Sequence, residues 1–156
     1  MSGFLAAWLA LAEQQTTLPT QTAACPKGHV VNVIAHADDD LYFMNPDIAA
    51  ALDAGQCLTT VVITGGYVDD ADNTPRVNGL KAAYAQMAMQ ADDWQQSWQL
   101  LDGRPVERFQ LRGRPGVGLV FFHLPCGGHD HLGSKTGTPL HEVLQGKPTL
   151  SIGVKA

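Results

Sequence analysis

Charge is scarce in this chain. Only 16% of its 156 residues are Asp, Glu, Lys or Arg, and the formal net charge is -5. That leaves no electrostatic case for nucleic-acid binding, and no basic stripe interleaved with aromatics occurs. No apolar run reaches the ~20 residues of a membrane-spanning helix. The three cysteines include no C-x-x-C pair, so no thiolate zinc site is indicated. What is present, 45% hydrophobic residues in a chain of this length, describes one globular domain with a real core.

The N-terminal 24 residues stand apart from the remaining 25–156. "FLAAWLALA" (Phe4 to Ala12) is an apolar run followed by a polar stretch, and Ala10-Leu11-Ala12 fits the small-x-small pattern of a signal-peptidase site. No Lys or Arg precedes the run. Two readings stay open: a shortened secretion signal, which makes the protein secreted or extracytoplasmic, and an amphipathic first helix packed on the domain, which leaves it cytoplasmic. Cys25 and Cys57 each precede a strand candidate. If those strands run parallel and adjacent, the two thiols meet at one end of the sheet and form a candidate disulfide, which needs an oxidising compartment. Two unpaired thiols are the alternative, and Cys126 has no evident partner.

The first half of the chain alternates strand and helix. "HVVNVIA" (29–35) is nearly continuous in hydrophobicity, as in a strand buried on both faces of a parallel sheet. "NPDIAAALDAG" reads as a helix with Asn45 as N-cap, Pro46 at its first position and Gly55 closing it. "CLTTVVIT" (57–64) is a second buried strand. "GGYVDDADNTP" reads as a polar loop and "RVNGLKAAYAQMAMQA" as a second helix. "PVERFQL" and "VGLVFFHLP" are two further strands around a Gly/Arg/Pro turn, forming a hairpin or sending the second back to the main sheet. "CGGHDHLGSKTGTP" is a Gly-rich loop, "LHEVLQG" a short helix ended by Gly146, and "TLSIGVK" the possible start of another strand. The order predicts an α/β fold: a Rossmann-like, mostly parallel sheet with flanking helices, incomplete at the C-terminus. Ligands in such sheets bind beyond the carboxyl ends of the strands, where both the His36–Met44 and Gly65–Pro75 loops fall.

The first of these loops contains His36, Asp38, Asp39 and Asp40. Adjacent carboxylates repel one another, and a bound cation would offset that. Imidazole and carboxylate are the usual zinc ligands outside thiolate sites. If the chain turns directly after Ala35, residues three apart share a face, so His36 and Asp39 converge on one ion. Asp38 then points elsewhere, within reach of a metal-activated water, as a general base should. Asp40 is left to the following turn or to a supporting role. The alternative is an Asp-rich turn that binds nothing.

"VNVIAHADDDLYFMNPDI" resembles the signature of the PIG-L/LmbE-like zinc-dependent N-deacetylases, whose form of this segment is A-H-P-D-D-E/D. The similarity extends over "ALDAGQCLTTVVITGG" and "RVNGLKAAYAQMA", and is greatest to the secreted bacterial branch, which has cysteines near both strand starts. It covers about Cys25 to Trp94 well and the remainder weakly, through "FFHLP" and "PLHEVLQG". The resemblance implies a Zn²⁺ cofactor held by His36 and Asp39, Asp38 as general base, and Arg76 in contact with a small-molecule or glycoconjugate substrate. The implied reaction is hydrolysis of an N-acetyl group on an amino sugar by zinc-activated water. Ala37 stands in place of the usual Pro and Val77 in place of Glu. The family's third zinc ligand is a His in a later H-x-x-H-type segment that does not occur here before Ala156, so the expectation is a partial member. The competing expectation is a non-catalytic remnant with at most carbohydrate affinity. Mg²⁺ in phosphate chemistry is a third option, disfavoured by His36 because Mg²⁺ prefers oxygen.

Candidates for the third ligand are His131 and His129. His123 reads as a satisfied strand residue, His141 as a surface or capping residue, and His29 lies at the far end of the first strand. Tyr67, Asp69, Asp70 and Asp72 read as a solvated loop or as the lining of a polar pocket. Trp94 and Trp98, four apart, suggest helical core packing, with sugar stacking as the alternative. Sheet strands missing at the C-terminus would leave an exposed edge and favour self-association.

Overall fold

The structure, a computed structural model, describes residues 24–65, 70–124, 126 and 140–147. The N-terminal run, Tyr67, Asp69, His129, His131 and "TLSIGVK" lie outside the described residues.

β1 (His29–Ile34) leads into two short helices, α1 (Asp39–Phe43) and α2 (Asp47–Asp53), and then β2 (Cys57–Thr64). The segment expected as a loop from His36 to Met44 therefore contains a short helix. Asn45 lies one residue outside α2: Pro46 takes the N-cap position, and the Asn45 amide instead donates to the Leu41 carbonyl. Gly55, with φ at +76°, ends this helix as expected: left-handed backbone lets the Gly55 and Gln56 amides turn back onto Leu52 and Ala51. Arg114 caps the same end by donating to the Leu52 and Gln56 carbonyls.

α3 (Asp70–Met87) corrects two expected boundaries. The stretch read as loop up to Pro75 is already helical from Asp70. Pro75 lies inside the helix, lacking the N–H that would bond back one turn. The helix stops at Met87 rather than Ala91, because Met89 adopts left-handed backbone at φ +53°. A methionine in the place glycine usually takes gives the sequence no stop signal to read.

β3 (Trp94–Leu101), β4 (Arg104–Leu111) and β5 (Val117–Leu124) follow, then α4 (Leu140–Leu144). Trp94 and Trp98 lie on a strand, not a helix: a spacing of four puts two residues on one face of either element. Asp102 and Gly103 form the β3–β4 turn with φ values of +51° and +75°, the conformation that suits Asp-Gly in a tight hairpin. The β4–β5 hairpin forms, and β5 also rejoins the main sheet.

The sheet order is β1-β2-β5-β4-β3. β1 pairs parallel with β2 and β2 with β5, while β5–β4 and β4–β3 are antiparallel. The sheet is thus mixed and partly parallel, not mostly parallel. Ile48 and Leu52 of α2, Leu80, Tyr84 and Ala85 of α3, and Ala88 just beyond it pack with Ile34, Leu58, Val62, Leu119 and Phe121 to form the core on one face. β1 is not buried on both faces. It is an edge strand, and Val31 and Val33 on its other face are 57% and 60% exposed. At the amino ends of β1 and β2, Cys25 and Cys57 are joined in a disulfide.

Candidate functional site

β1 ends where Thr64 of β2 clamps the Ala35 carbonyl with both its amide and its hydroxyl. The chain then turns at once. The amides of Asp38 and Asp39 both approach the His36 carbonyl, at 2.9 and 3.3 Å, and the His36 amide donates to Asp39 Oδ2 at 2.9 Å. This closed turn brings His36 Nδ1 to 3.7 Å from Asp39 Oδ2. Both side chains remain about one-third exposed, at 31% and 32%.

The three successive carboxylates point to three different partners. Asp38 Oδ2 faces Arg76 Nε of α3 at 3.8 Å. Asp39 faces His36. Asp40, fully buried, accepts the Leu41 amide on Oδ1 and the Tyr84 hydroxyl on Oδ2. Separate partners offset the repulsion that three adjacent anions would otherwise carry. Burial pushes the Asp40 carboxyl above its usual range, against the downward pull of the hydrogen bonds from Tyr84 and Leu41. Burial and the neighbouring Asp40 push the Tyr84 hydroxyl up in turn, so it stays a protonated donor.

The donor set has room for a cation at one place. Two ligand atoms each about 2.0–2.2 Å from a tetrahedral ion lie roughly 3.4 Å apart, and the separation of His36 Nδ1 and Asp39 Oδ2 is close to that. A carboxylate has capacity beyond the one amide bond Asp39 accepts. On the opposite edge of the ring, His36 Nε2 lies 3.3 Å from Cys126 Sγ. Because the two ring nitrogens point apart, one ion cannot take both. No group of three His, Cys, Asp or Glu side chains able to hold a metal occurs among the described residues.

The other histidines divide as follows. His29 pairs with Thr59 at the amino end of the sheet. His141 is exposed on α4. His123 is buried and paired through Nε2 with Glu107 at 2.7 Å, and Gln96 donates to the other Glu107 oxygen. A cavity of about 480 Å³ lies between β1 and α2, lined by Val30, Asn32, Met44, Ile48 and Gln56 among others. None of His36, Asp38, Asp39 or Arg76 lines it.

No family model matches this chain, and no curated protein or solved structure does.

Sequence reasoning missed Tyr84, Thr60, Asn32 and Cys126 as neighbours of the turn. Asn32 and Thr60 carried a signal: polar residues inside otherwise apolar strands, opposite each other in the parallel register. Cys126 and Tyr84 carried none, since their approach depends on how β5 and α3 return to the sheet.

Proposed function

We propose that this chain has the site of a metal-dependent amidohydrolase that removes an N-acyl group, acetyl in the simplest case, from an amino sugar or glycoconjugate. The observation that carries the reading is the 3.7 Å approach of His36 Nδ1 and Asp39 Oδ2 on a turn at the carboxyl end of a parallel strand, with Asp38 beside them. The resemblance of this segment to the PIG-L/LmbE-like deacetylases points the same way.

His36 and Asp39 would hold the ion, with His131 the candidate third ligand. A zinc ion bound there would supply Lewis acidity, polarising an amide carbonyl and making a water molecule more acidic. Asp38 takes a proton from the attacking water on its carboxylate and passes it towards the leaving amine. Arg76 has a double part. Its Nε, 3.8 Å from Asp38 Oδ2, holds that carboxylate beside the proposed ion, and its half-exposed guanidinium can also meet a hydroxyl or phosphate of the substrate.

Metal analysis of the purified chain, with Asp39→Ala as control, tests the reading. The expected result is about one zinc per chain in the wild type and loss of it in the variant. Acetate release from N-acetylglucosaminyl substrates is the accompanying assay. A chain that takes up no zinc, or an Asp39→Ala variant that loads as the wild type does, removes the metal from the proposal.

A further inference from the structure

We propose that Tyr84 is a positioning residue for this site: through Asp40, its hydroxyl holds the turn that carries His36, Asp38 and Asp39. The proposal rests on the reading of His36 and Asp39 as metal ligands.

The hydrogen bonds around Tyr84 have a fixed direction. Asn32 Nδ2 can only donate, and it approaches Thr60 Oγ1 at 3.5 Å. Thr60 Oγ1 lies 2.5 Å from the Tyr84 hydroxyl, and Tyr84 in turn bonds Asp40 Oδ2. An ionised Asp40 can only accept. Tyr84 therefore spends its single proton on Asp40, and Thr60 spends its own on Tyr84. Every donor points towards the carboxylate, and a chain of this kind strengthens each member. It runs from β1 to β2 to α3 and ends on the turn that β1 itself leads into. Tyr84, Asp40 and Thr60 are fully buried, so no bulk water can replace a lost member.

The same helix grips the turn twice. Arg76 faces Asp38, and Tyr84, eight residues further along α3, holds Asp40. Asp39 lies between these two anchored residues. Where its carboxylate sits relative to His36 thus depends on a turn pinned on both sides from one element. Outer partners of this sort typically alter metal affinity by roughly 10–100-fold without touching the metal.

The test compares full-length wild type with Tyr84→Phe, Asp40→Asn and the double variant, using zinc affinity from competition with a chromophoric chelator and amide hydrogen exchange as readouts. Leu119→Ala, equally buried but on β5, is the control for a general loss of stability. Tyr84→Phe is expected to weaken zinc binding roughly 10–100-fold. It should also speed exchange at the Leu41 amide about tenfold, with no matching change at Ala88, whose amide bonds the Tyr84 carbonyl at the end of α3. Adding Asp40→Asn should cost little more, because both changes cut one chain. Leu119→Ala should lower the melting temperature and leave zinc affinity unchanged. Unaltered zinc affinity in Tyr84→Phe, with the wild type loading normally, overturns the proposal, as does an equal loss in Leu119→Ala. If the wild type takes up no zinc, the metal reading fails by itself and Leu41 decides. Unchanged exchange there overturns the proposal too, and faster exchange leaves Tyr84 as the residue that holds the turn.

Discussion

Two imidazole–carboxylate pairs in this protein are built in opposite ways. His36 and Asp39 are neighbours in sequence, held 3.7 Å apart by a backbone turn and left about one-third exposed. His123 and Glu107 come from adjacent antiparallel strands and meet directly at 2.7 Å, with side chains only 8% and 11% exposed. Phe121 stacks on the His123 ring and Trp98 lies beside it, so the second pair is enclosed by packing. A closed pair has already used the capacity a ligand would need. An open one, with a gap of about two metal–ligand bonds, has not. Carboxylate and imidazole in proximity are therefore not enough to mark a site. On the proposed reading, the gap and the exposure are what would set a place for an ion apart from a structural contact.

This contrast can be broken from either side. The largest stability effect should come from the disulfide at the opposite, amino end of the strand that leads to the open pair. Replacing Cys25 and Cys57 with serine releases a span of 32 residues, which costs about 3–4 kcal/mol by chain entropy. Denaturant titration of the oxidised and variant proteins measures it. Asp39→Ala should abolish zinc loading, a loss beyond the roughly 100-fold typical of supporting residues, yet cost only about 0.5–1.5 kcal/mol of stability, the worth of the hydrogen bond its carboxylate accepts from the His36 amide. Glu107→Ala should do the reverse: about 1–3 kcal/mol of stability lost, since His123 and Gln96 are left without their acceptor, with zinc affinity unchanged. A Glu107→Ala variant that loses zinc would mean the two pairs are coupled, and the contrast would fall.

The smallest effect is one of pH. The folded-state pKa of Asp40 is raised above 3.8, so between those two values the folded chain binds more protons than the unfolded one. Its contribution to stability is present in full below 3.8 and is lost as pH rises through the folded value. The carboxyl resonance of Asp40, followed by NMR against that of an exposed aspartate such as Asp53, should titrate later. A midpoint at or below the ordinary carboxylate value would contradict the burial argument.

How much of this was legible depended on the range of the interactions. β2 was readable to its end residues because a buried parallel strand is a local pattern. The turn directly after Ala35 was a condition, not a deduction; given that turn, the approach of His36 to Asp39 followed from their spacing of three, since residues three apart in a bend share a face. β3 was not found: "WQQSWQLL" has no β-branched residue, and its two tryptophans fit either period. The Asp102-Gly103 hairpin signal beside it was the available clue. The start of α3 was hidden by Pro75, and its end by a methionine where glycine is usual.

By itself the sequence determined β1, α2 and β2 as elements, the acidic segment and its candidate donors, because each of these is a matter of residues close together along the chain. Only the tertiary structure decided that β1 lies at an edge, that β5 turns the sheet mixed, that Arg76 reaches Asp38, and that Tyr84 buries its hydroxyl against Asp40. Those contacts join residues 38 and 44 positions apart. They exist because α3 packs its buried side against the sheet, and no local pattern carries that.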